Sequence, residues 1–303
     1  MKLRREDGQA LVLGVLLMAS LLGCAALVLD VGSWFRDKRQ LQSTADAAAL
    51  AGAQSLPQDP AGAISLAVQY GNTNGGGVSA GNVSISSVLS PNDTISVSSG
   101  NQAPGFFSKV FHINTVNVAA AAAARVDLPA QALGVAPMVV SDKHPLLAGS
   151  GCPCFGQATT LPFDKLGAPG AFGMLNLDQG GNNPGSSTEG DWIEKGYNGY
   201  LPLGNYNSDP GAKFSSNNVQ SALSDRIGTV LLFPVFHSLT GNGSNAVYSI
   251  IGWVGFYLTS FDVHGNNATL YGHFTRYIAH GIQVTTSNPN ESDFGVRTIQ
   301  LIH

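Results

Sequence analysis

Twenty consecutive residues near the start of the chain, Ala10 to Leu29 (ALVLGVLLMASLLGCAALVL), carry no charge and no strongly polar group except Ser20. At 1.5 Å of rise per residue such a run reaches about 30 Å as a helix, the thickness of a bilayer's hydrocarbon core. A helix packed on a water-soluble domain keeps a polar face, and this one has none. It therefore reads as a membrane span, and it decides where everything after it works. The rest of the chain is rich in Gly, Asn and Ser. Hydrophobic residues make up 44% of the 303, enough to bury a core, whereas charged residues are only 11%. The length leaves room for one large or two modest domains besides the span.

The charge is uneven. Lys2, Arg4, Arg5, Arg36, Lys38 and Arg39 are six of the fifteen basic residues, and beyond residue 39 nine basic face fifteen acidic groups, a formal −6. With no basic patch outside the flanks of the span, nucleic-acid binding is not expected. Three readings compete for the N-terminus. A cleaved signal peptide has an apolar core of about 7 to 15 residues, and this run is longer and proceeds into a predicted helix. Leu21-Leu22-Gly23-Cys24 is similar to a lipobox, but Leu22 fits poorly there and the residues after Cys24 stay apolar. An uncleaved signal anchor fits best. Basic residues flank both sides, so positive-inside counting is close to a tie. Long domains translocate largely regardless of charge, which sets the expectation of a cytoplasmic N-terminus and an extracytoplasmic C-terminal domain.

No proline interrupts the chain between the span and Pro57, so the helix is predicted to continue through residues 30–56, closed by Pro57 and Pro60. Trp34 sits where an interfacial aromatic would lie at headgroup level. Leu41, Ala45, Ala48 and Gly52 recur on one helix face, a narrow stripe that lets another backbone approach closely. The string Arg4-Arg5-Glu6-Asp7-Gly8-Gln9-Ala10, the span, Asp30-Val31-Gly32, then Arg39-Gln40-Leu41-Gln42 and Thr44 to Ala53 resembles the N-terminal signature of TadG-like proteins of the Tad (Flp) pilus-assembly group. A weaker resemblance runs on through Phe106 to Phe111 and Val116 to Val118. Processed pilins carry a Glu five residues after the cleaved glycine; counted from Gly8 that position is Leu13, so a prepilin-peptidase site is not supported. The resemblance implies a membrane-anchored, non-catalytic component of a pilus or secretion machine. Its implied partners are the bilayer through residues 9–29, other Tad/Flp machinery proteins, and a second copy through the N-terminal helix.

Downstream, residues 61–70 read as a short helix. Asn82 to Leu89 and Asp93 to Ser99 alternate with period two around Pro91-Asn92-Asp93, a hairpin signal. Pro104 to Phe111 reads as a helical turn or two. Asn114 to Val126 reads as a strand on its Val116/Val118 lead-in, although the alanines at 119–124 suit a helix. Residues 141–186 are loop-rich. Glu189 to Tyr197 and Ser216 to Ile227 read as helices with polar N-terminal caps. Gly228 to His237, Asn245 to Ser260 and Ala268 to Ile278 read as strands. Ile250 to Leu258 is continuously apolar, which suits a strand covered on both faces. The expected fold is α+β: a cytoplasmic tail (1–8), a span (9–29), a helix extension (30–56), a small pilin-like α+β region (57–126), and a β-rich distal domain (127–303).

Motifs that carry chemistry are scarce. There is no phosphate loop, nucleophile elbow or H-E-x-x-H, and no catalytic, cofactor-binding or metal residue is assigned. The histidines at 112, 144, 237, 264, 273, 280 and 303 are scattered. Cys152 and Cys154 form either a small disulfide or two free thiols, since two cysteines alone make no tetrahedral zinc site. Residues 176–183 are oxygen-rich but lack a Ca²⁺-loop register. Asp191 and Glu194 read as the solvated first turn of a helix. Besides the assembly component, two further classes stay open: a tethered adhesin or binding module, and a tethered hydrolase whose residues would have to converge from separate loops.

Overall fold

In the computed structural model, residues 6–163, 173–178, 183–209, 213–265, 267–279 and 292–302 are described, apart from the side chains of residues 6–10 and 244. The chain divides into two compact units, residues 1–125 with 300–303, and residues 126–299. Together the elements make an α+β fold.

The first unit is organised by one helix. α1 (Glu6–Ala53) runs without a break from the apolar run into the alanine-rich extension. It ends three residues short of the predicted 56, where the chain tightens through Gln54 N–H to Ala51 O and Ser55 N–H to Gly52 O. Pro60 does not close α1. It opens α2 (Pro60–Thr73), where a missing N–H costs nothing, behind Asp59, whose carboxylate accepts from the Gly62 N–H. β1 (Val83–Ser86) and β2 (Thr94–Pro104) form the predicted hairpin, with Asn92 at φ 56° in its turn. β2 continues five residues past the predicted end because β3 (Thr115–Asp127) pairs with it along its whole length, Thr94 with Arg125 through Pro104 with Thr115. The alanines at 119–124 therefore lie in a strand. Ala120, Ala122 and Ala124 are buried while Ala119 and Ala121 are exposed, the period-two burial of a sheet face. Between β2 and β3 only Ser108–Phe111 turns helically, as a 3-10 turn.

The second unit is built on a six-stranded sheet. Its elements are β4 (Gln131–Ala132), β5 (Val140–Ser141), α3 (Pro145–Ala148), β6 (Ala158–Phe163), α4 (Ser186–Lys195), β7 (Leu201–Pro202), β8 (Gly204–Asn207), α5 (Asn217–Asp225), β9 (Val230–Thr240), β10 (Val247–His264), β11 (Asn267–Thr275), β12 (Tyr277–Ile278) and the start of β13 (Val296–Ile302), whose last residues belong to the first unit. The sheet order is β5-β9-β10-β11-β6, with β8 also on β10. β4 pairs with β7, and β12 runs parallel to β13. Two of the helix caps differ in kind. Ser216 caps α5 through its side chain, as the sequence predicts, but the residue before α4 is Gly185, which offers none.

Both faces of the sheet are covered. One buried cluster gathers Phe163, Phe214, Phe233, Val254, Phe256, Leu258 and Phe274, and the other gathers Leu232, Phe236, Tyr206, Tyr248, Ile250 and Trp253. β10 serves both by changing phase. Tyr248 and Ile250 face the second cluster, the register slips between Ile250 and Gly252, and the even-numbered Val254, Phe256 and Leu258 then face the first. One extra residue in a strand moves every later side chain to the opposite face, which is why Ile250 to Leu258 reads as continuous apolar sequence.

Candidate functional site

Every residue from Leu11 to Leu29 is exposed except the half-buried Ala26, and Leu11, Leu16, Leu21 and Leu27 are each at least half exposed. Among the described residues α1 is the one helix long and apolar enough to cross a membrane. Burial begins abruptly at Asp30. Beyond it the helix packs on its own chain. Trp34 donates its Nε1–H to Pro104 O at 3.2 Å. Leu41 clusters with Ala103, Val118 and Ala120, with the ring of Trp34 against them. Ala45 and Ala48 are fully buried on the same side, where α1 meets α2 and β2. At Gly52 the approach is closest: a Cβ there would sit 2.5 Å from Ile95 Cδ1 and 2.8 Å from Ala63 O. The backbone that this small-residue stripe admits here is the chain's own α2 and β2.

Asp30 does something its sequence context does not reveal. Its carboxylate accepts the backbone N–H groups of Phe106 (3.0 Å), Phe107 (3.1 Å) and Ser108 (2.6 Å), more than seventy residues away. Burial acts to raise its pKa, but these donors outweigh it and hold the carboxyl below the usual carboxylate range. Asp93 repeats the device at the other end of β2. It accepts from Val88, Leu89 and Ser90, and its pKa is lowered by the same contest between burial and backbone donors. Each aspartate replaces the missing partners of a tight loop's backbone.

In the second unit Cys152 and Cys154 are joined by a disulfide. Glu189 stands at the start of α4 and is wholly buried beside Asp209. Lys213 Nζ lies 3.5 Å from Glu189 Oε1 and bonds Asp209 Oδ2 and Pro184 O. Burial and the neighbouring Asp209 push the Glu189 carboxyl up to about 10, against the pull of Lys213. It is therefore held as the neutral acid at neutral pH. Asp191 and Glu194 face solvent on the same helix, with Asp191 2.7 Å from Lys195.

The histidines are spread over structural roles. His144 accepts the Leu146 N–H at Nδ1 and packs edge-on against Phe274, and burial lowers its pKa. It lines a hollow of about 250 Å³ with Val140, Ser141, Lys143, Leu161 and Phe163. Within it, the Ser141 hydroxyl accepts the Lys143 N–H and the His144 ring meets the Leu146 N–H and the Thr159 hydroxyl, so the two side chains are engaged separately. His237 pairs with Asp142 at 2.6 Å on the surface, and His273 stacks on Tyr257. His280, His303 and part of the oxygen-rich 176–183 segment lie outside the described residues. Among those described, no group of three or more His, Cys, Asp or Glu is placed to hold a metal ion.

Residues 8–55 match the family described as "Putative Flp pilus-assembly TadE/G-like". The N-terminal segment is TadE/G-like. The match covers α1 almost entirely and ends two residues past it, so the TadE/G-like segment holds the apolar run, Asp30, Trp34 and the whole small-residue stripe. No curated protein matches the chain, and no solved structure does.

Proposed function

We propose that this protein is a membrane-anchored component of a Tad/Flp-type pilus or secretion apparatus, with its N-terminus cytoplasmic and residues 30–303 on the far side of the membrane. The observation that carries the anchoring is the break in burial at Asp30. The apolar residues before it are exposed except the half-buried Ala26, and the stripe after it is packed against the same chain. Bare leucines in water on every side of a helix carry a hydrophobic cost that a bilayer removes. The assembly role rests on the TadE/G-like segment. The second unit is proposed to bind rather than to catalyse, a reading supported by the separate engagement of Ser141, His144 and His237 in turns and a surface pair.

Carbonate extraction and protease protection in membrane vesicles test the anchor. The expected result is a chain that stays with the membrane, retains Met1 to Leu29, and is cut only from the side opposite the N-terminus. An amino terminus at Gln9 or Cys24 after purification overturns the uncleaved anchor. Site-specific cross-linking in cells that make the apparatus tests the assembly role, and adducts confined to lipid would refute it.

A further inference from the structure

We propose that the loop between β2 and β3 is a second membrane-contacting element, held in the headgroup region by Asp30 so that Phe106, Phe107, Val110, Phe111 and Ile113 enter the bilayer interface beside the span. This rests on the anchored reading of α1 and adds to it a lipid-facing surface made by a distant part of the chain.

The first support is position. Leu29 closes the apolar run and Asp30 is the next residue. The loop descends along α1 from Pro104, bonded to Trp34, to Phe106–Ser108, bonded to Asp30, about one helical turn nearer the span. The polar zone on each side of a hydrocarbon core is about 5 to 8 Å deep. Residues 30–34 of a helix leaving that core rise through about 6 Å of it, so anything clasped to Asp30 lies in the same layer.

The second support is composition. Phe111 is 78% exposed and Val110 77%, and Phe106, Phe107 and Ile113 are exposed as well. Lys109 is the loop's one charged side chain. Phe35 and Arg36, exposed on α1 itself, continue the mixed aromatic and basic character of an interfacial belt. In water an apolar patch of this size marks an interaction surface, and its continuity with the span identifies lipid as the occupant.

The third support is order. The loop's neck is closed by Gly105 N–H to Asn114 O at 2.9 Å, and the Ser108 hydroxyl donates to Ile113 O. With three N–H groups already on Asp30, the loop brings few unpaired backbone groups to a medium that would penalise them. Asp30 is thus a positioning residue.

The test uses the full chain in phosphatidylcholine–phosphatidylglycerol vesicles, with one environment-sensitive fluorophore per molecule. Native Cys24 labels the span. In a C24A background, Phe111→Cys labels the loop, and Val88→Cys labels the exposed hairpin tip at the far end of β2, about 34 Å away along the strand. The expected result is a blue-shifted Phe111→Cys label, quenched by nitroxide lipids of shallow depth and several-fold less sensitive to aqueous iodide than the Val88→Cys label. Adding Asp30→Asn should restore iodide access at position 111 while the Cys24 label stays deep. A position-111 label as open to iodide as position 88, with Cys24 still deep, overturns the loop and leaves the anchor standing. Iodide access at Cys24 removes the anchor and the loop with it. Shielding at position 111 from both iodide and lipid quenchers means a protein neighbour and also overturns the proposal.

Discussion

The two units treat aromatic residues in opposite ways. Phe35, Phe106, Phe107 and Phe111, all the phenylalanines of the first unit, are exposed. Every described phenylalanine of the second is buried or half-buried, and Phe233 and Phe256 stack at 5.7 Å in the middle of its sheet. The first unit sets many alanines among a few larger aliphatics such as Leu41, Leu56, Ile95 and Val97, so α1 lies close on α2 and β2. The second is held by volume. A core of small residues is vulnerable to added atoms, and a core of large ones to their loss.

Their buried carboxylates differ in the same way. Asp30 and Asp93 are held as ions by backbone N–H groups, below their ordinary range, whereas Glu189 is kept as a neutral acid. The two units should therefore respond to pH with opposite signs.

The largest expected effect is Phe256→Ala. It removes a ring packed on Phe233 and Phe274 and should cost the second unit about 3–5 kcal/mol. Limited proteolysis should show that unit cut early while the first stays intact and anchored; simultaneous loss of both would erase the contrast. Next is Gly52→Leu, which forces a side chain into Ile95 and the Ala63 carbonyl and should cost the first unit about 1–3 kcal/mol. Ala47→Leu, on the half-buried flank of α1, should be milder, and equal losses at both sites would leave the stripe without a packing role.

The pH contrast comes third. Unfolding lets Glu189 ionise from its ordinary 4.5, while the folded acid keeps its proton to about 10. Unfolding thus releases a proton across that window, and the second unit loses stability as pH rises through it. Glu189→Gln, which mimics the neutral acid, should flatten melting temperature against pH between 5 and 8. For Asp30 the sign reverses: its contribution is complete above the unfolded carboxylate pKa of 3.8 and goes as pH falls below it. Protection of the Phe107 and Ser108 amides from hydrogen exchange, taken relative to their intrinsic rates at each pH, should fall on acidification, and constant protection would mean that the carboxylate does not hold the loop. The smallest effect is Asp191→Asn, which breaks an exposed pair with Lys195 and should leave the melting temperature where it was.

Local features were legible in the sequence where neighbours in the chain set the structure. The long apolar helix, α2, the hairpin at Asn92 and the Ser216 cap each follow from a few adjacent residues. The alanines at 119–124 were readable only through Val116 and Val118, because pairing with β2 overrides alanine's helix preference. Long-range features stayed hidden. Asp30 meets partners more than seventy positions away, and Glu189 meets Asp209 and Lys213 from another segment of the chain. The slip at Ile250 depends on the partner strand and has no local mark. Glu189 itself looks like an ordinary charged residue in the first turn of a helix, and only packing shows it to be buried.

The unbroken course of α1 has a mechanical consequence. From Asp30 to Ala53 the helix extends about 36 Å beyond the apolar run, with the first unit packed along it and no proline to act as a joint. A span tilts by about 20° in a typical bilayer, and a lever of this length turns that tilt into a displacement of about 12 Å at its far end. In the proposed anchored state, bilayer thickness would become a steering input for the first unit, and a foot planted beside the fulcrum would limit how far the lever can swing.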